Sequence, residues 1–376
     1  MNLKRMITAG CAALLLMGSL SVTGHVCAES ENAMTALEFA AEMKLGWNLG
    51  NTFDAPGGET AWGNPMTTKE LIDYVKELGF ETIRIPISWG KHVSPAPEYT
   101  IDETFLNRVD TVVNDALEAG LHVIINTHHD NEYYTPTPEN SQRAQEYLTA
   151  IWTQVGKHFR EAPYTLIFET MNEPRVAGSV FEWNINLNNP DCVAALETVN
   201  QLNQRALDAI RATGGNNADR FVMITPYVAS PAAATSATFQ LPQDSAQDRL
   251  LLSLHSYSPY SFALDIHSGD TDFGRKDEYE IKSILKSVNH RFVEKGIPVV
   301  FGEMGALDKS NPDDRYAWAK CFVSTAREYG IPCVWWDNGQ IGGNQENFGL
   351  INRRTVSIYP QSQTVYQGLM DGLISE

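Results

Sequence analysis

Long apolar runs, cysteine and basic charge are all scarce in this 376-residue chain, and each scarcity excludes something. The first long apolar stretch, Ala12 to Leu20, falls short of the roughly 20 residues that a membrane-spanning helix needs. It follows Lys4 and Arg5 and precedes the small-residue site Val26-Cys27-Ala28. Residues 1–28 therefore read as a signal peptide, and the protein is expected to be secreted, extracellular and free of the membrane once that segment is removed. Of five cysteines, Cys11 and Cys27 fall in that segment, leaving Cys192, Cys321 and Cys333. They form no CxxC and no metal-ligand spacing, so at most one disulfide is available and a cysteine-rich scaffold is excluded. Lys and Arg number 28 against 46 Asp and Glu, a formal charge of −18. Residues 1–28 hold two bases and no acid, so the remainder is nearer −20. Nucleic acid and anionic membranes reward positive patches, and neither is expected as a partner.

Hydrophobic residues make up 43% of the chain and aromatic ones 10%, enough for a sizeable core. A theme recurs along it: a helix-like segment, a glycine, a β-branched run, a polar cluster. ELGFETIRIPISW (77–89), EAGLHVIINTHHD (118–130), EKGIPVVFGEMG (294–305) and EYGIPCVWWDNG (328–339) share it. Gly79, Gly120, Gly296 and Gly330 suit helix C-termini, where positive φ costs glycine little. The runs after them are apolar on both faces, as parallel strands buried between layers must be. Leu45–Leu49, Leu166–Glu169, Phe221–Thr225 and Leu250–His255 complete about eight strands, with helices such as Asp102–Ala119 and Ala317–Tyr329 between them. No linker or appended module is legible after Ser30. Eight βα units predict a single-domain (β/α)8 TIM barrel over residues 29–376. An open doubly wound sheet would want a three-glycine phosphate loop after the first strand, and Gly46 to Asn51 holds only two glycines.

Barrel chemistry sits at the carboxyl ends of the strands. Those ends carry Asn48 and Asn51, then Arg84, then Asn126, Thr127, His128, His129 and Asp130. Glu169, Asn172 and Glu173 follow, then His255 and Tyr257, then Glu303, then Trp336 and Asp337. Buried without partners, such groups would each cost several kcal/mol, about 2–7 for a neutral one, so they are expected to share one network at one rim. Glu173 and Glu303, after strands 4 and 7, are the kind of carboxyl pair that cleaves a glycosidic bond. One donates a proton to the departing oxygen, and the other attacks the sugar carbon or activates water. Pro174 is expected to end the fourth strand and fix the loop bearing Glu173, with Glu169 facing the network. Trp62, Trp89, Trp183 and Trp336, with Tyr133, Tyr134, Tyr257 and Tyr260, are expected to form a sugar-stacking surface, and Trp152 and Trp318 to lie in the core.

The run Ile167-Phe168-Glu169-Thr170-Met171-Asn172-Glu173-Pro174, taken with Arg84, His128, His255, Tyr257, Glu303 and Trp336 in order, resembles glycoside hydrolase family 5, the cellulase family. The resemblance runs from Gly46 to about Asn352. It implies a retaining mechanism, with Glu173 as acid/base and Glu303 as nucleophile. Arg84 would hold Glu303 in place and ionised, and Tyr257 would hydrogen-bond it. Asn172 would bind the hydroxyl beside the anomeric carbon. His128 and His255 would line the reacting subsite over a Trp336 floor, with His129 and Asn48 in supporting places. Residues 46–52, 60–65 and 348–350 resemble a subgroup that acts internally on β-1,4-glucans, many members also cutting mixed-linkage glucan or xyloglucan. A β-glucan polysaccharide is thus the expected partner of a monomer needing no cofactor and no metal. A mannanase or xylanase is the neighbouring alternative. A metal-dependent amidohydrolase could use His128, His129, His255 and Asp337, but strand 1 lacks the His-x-His pair it would want.

Overall fold

Strand formation follows the β-branched and apolar runs. In the computed structural model these are β1 (Leu45–Asn48), β2 (Thr82–Ile85), β3 (His122–Asn126), β4 (Leu166–Glu169), β5 (Val222–Ile224), β6 (Leu250–Ser256), β7 (Val299–Met304) and β8 (Cys333–Trp335). Each pairs in parallel with the next, and β8 pairs with β1, closing the barrel. Helices return the chain after each strand, among them Lys69–Glu77, Glu103–Glu118, Ser141–His158, Pro190–Ala212, Arg275–Arg291, Pro312–Glu328 and Gln363–Ile374. The structure describes residues 34–374 other than residues 343 and 344; the expected signal peptide lies outside the described residues. Among them no helix is long and apolar enough to cross a membrane.

Caps place the helix ends where the sequence signals them. Asp102 accepts the Phe105 N–H at 2.8 Å, satisfying one orphan donor at the start of Glu103–Glu118. Gly79, Gly120, Gly296 and Gly330 have φ of 93°, 76°, 84° and 66°, in the left-handed region that a Cβ disfavours. Pro312–Glu328 begins earlier than the expected Ala317, because Pro312 suits the first turn and Asp313 and Asp314 complement the helix dipole. All three remaining cysteines are free.

Side chains alternate along the strands. Ile124, Ile167, Met223, Leu251, Val300 and Val334 form one cluster, joined by Ala36, Phe39, Ala40 and Met43 of the helix Ala36–Met43. Their strand neighbours Val123, Ile125, Leu166, Phe168, Leu252 and Phe301 pack instead with the outer helices. The first set therefore fills the barrel interior, and the amino-terminal helix seals it as a floor. Phe39 stacks on Phe221 with ring centroids 3.8 Å apart. A dry floor lets a polar layer stand above it at the other end.

One strand departs from strict alternation. Leu254 pairs with Phe301, but His255 pairs with Glu303, so β7 holds one extra residue, Gly302. A Cβ on Gly302 would lie 3.2 Å from Ser253 Oγ and 3.4 Å from Glu169 Oε1, so Gly302 faces the interior. Alternation would send the next residue outward. The bulge turns Glu303 inward as well, which is how bulges re-aim side chains beside functional sites.

Because Phe39 is fully buried, Phe39→Ala should lower the unfolding free energy by about 3–5 kcal/mol. Urea denaturation measures it, and a loss below about 1 kcal/mol would show that the floor does not carry the fold.

Candidate active site

Above the floor the barrel interior is polar, and its centre is Arg84. The side chain is fully buried. Its Nε donates to Glu169 Oε2 at 2.8 Å, Nη1 to Glu303 Oε1 at 2.7 Å and to Asn48 Oδ1 at 3.0 Å, and Nη2 to Asn172 Oδ1 at 2.7 Å. Burial works against the guanidinium, but Glu169 and Glu303 more than offset it and hold Arg84 above its already high ordinary value. The geometry is that of a planar fork meeting two carboxylates at once.

Each partner is itself held. Glu169 Oε2 accepts a second bond from Asn126 Nδ2 at 2.8 Å, and Glu169 Oε1 accepts from Ser253 Oγ. Asn48 Nδ2 donates to the Gly302 carbonyl at 2.9 Å, tying β1 to the bulge. Glu303 Oε2 accepts the Tyr257 hydroxyl at 2.8 Å. Burial, then the Glu303 charge, pushes the Tyr257 phenol well above its ordinary value, so it stays protonated and donates.

Glu173 lies in the loop after β4. The strand ends at Glu169, before Pro174, which corrects the expectation that Pro174 stops it. Beyond the strand the Asn172 N–H reaches the Thr127 carbonyl at 2.9 Å, holding the loop against the end of β3. Glu173 Oε1 is 2.8 Å from His255 Nδ1, and that nitrogen is 3.6 Å from Glu303 Oε2. One ligand-type atom each from Glu173, His255 and Glu303 all lie within 4.8 Å of one another. Burial alone would raise Glu173, but the His255 hydrogen bond and charge, with Arg175 behind, bring it below the ordinary carboxyl value. His255 moves the other way: burial opposes its charge, and Glu303 and Glu173 hold its proton above the ordinary 6.5. The two side chains thus hold one proton between them.

The remaining expected residues divide by burial. His128 is 2% exposed and neutral, burial and then His129 and Arg84 pushing it well below the ordinary value. Its ring is parallel to Trp336 at 5.9 Å. Trp336 packs with Leu307 and Phe348, and Gly50 makes room for it, since a Cβ there would come 2.9 Å from the indole. His129 is exposed beside Trp62, with ring centroids 5.6 Å apart. Trp62, Trp183 and Tyr260 are exposed. Trp89 and Tyr134 are not, which corrects their place in the stacking surface. Trp89 Nε1 donates to the Asn126 carbonyl at 2.9 Å and the Tyr134 hydroxyl to the His128 carbonyl, serving backbone acceptors that the end of β3 leaves over. Trp152 and Trp318 are in the core as expected.

Two side-chain groups here have metal-ligand chemistry: Glu173, His255 and Glu303, and Asp54, His128 and His129. In the second, backbone N–H groups of Asn51 and Thr52 already occupy the Asp54 oxygens at 2.9 and 2.6 Å. Asp337 is likewise committed, accepting Trp47 Nε1 at 2.7 Å and the Leu350 and Ile351 N–H groups at 3.1 and 2.9 Å. Its role is to hold the loop after β8.

Sequence reasoning left several members of the network without a role. Ser253 could have been found by stepping two residues back from His255 on the inner face. Asn126 is legible as a polar strand end of the rim network, but its bonds to Ile87, Glu169 and His128 are not. Arg175 carries no motif. Its Nη1 lies 3.7 Å from Glu173 Oε2, its Nε donates to Glu182 at 3.2 Å, and its guanidinium covers the Trp183 ring at 4.3 Å.

Comparison with known proteins gives consistent matches. Residues 48–342 match the model of Cellulase (glycosyl hydrolase family 5). The chain is 41% identical over 342 residues to the cellulase/esterase CelE of Acetivibrio thermocellus, covering 90% of this chain but spanning only 40% of that relative. It is 40% identical over 340 residues to endoglucanase A of Ruminococcus albus, covering 88% and 91% of the two chains. Among solved structures, the family 5 lichenase of Caldicellulosiruptor sp. F32 superposes with a TM-score of 0.87 at 42% identity over 91% of this chain and 96% of that one. A broad-specificity endoglucanase from Ruminococcus champanellensis with bound cellotriose gives 0.85 at 40% identity, over 90% and 99%.

Removing Arg84 leaves Glu169 and Glu303 buried without their cation. Arg84→Ala should cost about 3–5 kcal/mol in chemical denaturation. Arg84→Lys should recover only part, because an ammonium cannot reproduce the fork. Full recovery by lysine would show that charge alone matters there.

Proposed function

The chain belongs to glycosyl hydrolase family 5, and on that premise we propose that it is a secreted, retaining endo-β-1,4-glucanase. It would cut internal bonds of cellulose-type glucans, and mixed-linkage glucan or xyloglucan as further substrates. The observation that carries the reading is the convergence of Glu173, His255 and Glu303 within 4.8 Å. Retaining pairs stand roughly 5–5.5 Å apart and inverting pairs roughly 6.5–9.5 Å, the wider gap leaving room for water. Secretion rests on the signal-peptide features of residues 1–28. A monomer without cofactor or metal completes the proposal.

In the first step a Glu303 carboxylate oxygen bonds to the anomeric carbon while the glycosidic bond breaks. The departing oxygen takes a proton from Glu173. In the second, Glu173 removes a proton from water, which attacks the same carbon and releases Glu303. Esterification removes the Glu303 charge, yet Arg84 keeps Glu169 as counterion at 2.8 Å, so the cation is never stranded. Tyr257 and Arg84 hold the two Glu303 oxygens and so set the angle of attack. Asn172, oriented by Arg84, and His128 meet sugar hydroxyls, with Trp336 beneath. Asn48 supports through Gly302 and His129 lies further out with Trp62. Trp183, with one ring face covered by Arg175, and Tyr260 are exposed rings a sugar could stack on.

The proton held jointly by Glu173 and His255 is the one delivered. Because His255 is held above 6.5, the joint proton is present below that raised value and lost as pH climbs through it. The basic limb of kcat/KM should therefore lie above about pH 6.5. His255→Gln should move that limb to lower pH, and an unmoved limb would separate His255 from the proton.

Glu303→Ala should abolish turnover of barley β-glucan and carboxymethylcellulose, with azide restoring part and yielding a glycosyl azide of inverted configuration. Without such rescue, Glu303 is not the nucleophile. Glu173→Ala should cost about 10²–10⁴-fold on poor leaving groups and far less on activated aryl glycosides. Proton NMR of early products should show retained anomers; inverted ones would overturn the double displacement.

A further inference from the structure

Asn126 bonds in three directions, and together they decide what His128 can offer. Its Oδ1 accepts the Ile87 N–H at 3.0 Å, which fixes the orientation of the amide. Its Nδ2 carries two protons. One goes to Glu169 Oε2 at 2.8 Å, and the other points at His128 Nδ1 at 3.1 Å. The opposite amide orientation would set a carbonyl oxygen against the Glu169 carboxylate and an NH2 against the Ile87 N–H, two repulsions at once.

We infer that Asn126 is the positioning residue that locks His128 as the neutral imidazole protonated on Nε2 alone. Nδ1 must present its lone pair to the Asn126 amide, so the ring's one proton sits on Nε2. Among the described residues Nε2 has no protein acceptor. His128 is 2% exposed, parallel to Trp336 and edge-on to His129. It therefore stands on the wall of the proposed reacting subsite as a fixed N–H donor, waiting for an acceptor oxygen on the substrate. The titratable and charged groups near it are Arg84, His129, His255 and Arg175, which oppose a second proton on the ring, and Asp54. Asp54 has a ligand-type oxygen within 4.8 Å of it, but backbone N–H donors already occupy that carboxyl. A sugar hydroxyl can accept from such a donor and pass its own proton elsewhere, whereas a His128 protonated on Nδ1 would offer only a lone pair. Asn126 thus sets the polarity of one substrate contact without touching substrate, and through Glu169 it also braces Arg84.

The substrate contact rests on the glucanase reading above; the tautomer does not. Long-range ¹H–¹⁵N correlation spectra of free enzyme labelled at histidine, with His128→Ala for assignment, should show His128 protonated at Nε2 and unprotonated at Nδ1 from about pH 6.5 upward, where an ordinary imidazole would still be half doubly protonated. A protonated Nδ1 in that range overturns the inference whatever the enzyme cleaves. Asn126→Asp replaces the donor by an acceptor. It should bring a proton to His128 Nδ1 and add an imidazole titration, while kcat/KM on cellotetraose falls at least roughly tenfold, the size of one hydrogen bond, because the same change also sets a carboxylate against Glu169. If the variant unfolds, the spectrum of the unmodified enzyme still decides. If His128 keeps its Nε2 tautomer in folded Asn126→Asp, the assignment to Asn126 fails. If the tautomer is as stated but β-glucans are not cleaved, the glucanase reading fails and the lock stands.

Discussion

A single buried guanidinium holds the working end of this barrel together. Arg84 reaches β1 through Asn48, β4 through Glu169, the loop after β4 through Asn172, and β7 through Glu303. A cation with no exposed surface is tolerable only with carboxylates at bonding distance, and a carboxylate there only with the cation. The mutual need fixes four segments relative to one another more tightly than apolar packing would. Two carboxylates on one cation also divide the labour. In the proposed mechanism Glu169 is enclosed and stays paired, which frees Glu303 to change its charge.

The two ends of the barrel interior do different work. At the amino end, six inward apolar side chains and the helix Ala36–Met43 make a dry plug. At the carboxyl end the same alternation delivers Asn48, Arg84, Asn126, Glu169 and Ser253. Low dielectric below and backbone on all sides strengthen each electrostatic contact in the polar layer. The Gly302 bulge is the necessary irregularity. Without the extra residue β7 would turn Glu303 toward the outer helices, and Arg84 would lose a partner.

Much of this was readable along the chain. Leu166–Glu169 was expected as a strand with the bounds it has, and Asp102 and Ala119 flank the helix they were expected to delimit. Such signals are local: a β-branched run, a capping carboxylate, a glycine free to take positive φ. The site residues were found because barrels gather chemistry at one rim, so polar residues after strands stood out. Trp89 and Tyr134 also follow strands, yet both are buried. An aromatic after a strand can face a ligand or serve a carbonyl behind it, and composition does not distinguish the two.

The sequence by itself determined the periodicity, the eight βα units, and which residue types crowd the strand ends, because each depends on neighbours within a few positions. It also carried the Asn-Glu-Pro signature that led to the family. Tertiary structure alone decided that Glu303 turns inward, that Ser253 belongs to the network, which partners Asn126 bonds, and that Glu173 meets His255 at 2.8 Å. Those are matters of register and of bonds between segments as far apart as residues 84 and 303. A one-residue shift in a strand reverses the face of every side chain beyond it, and no local pattern records that shift.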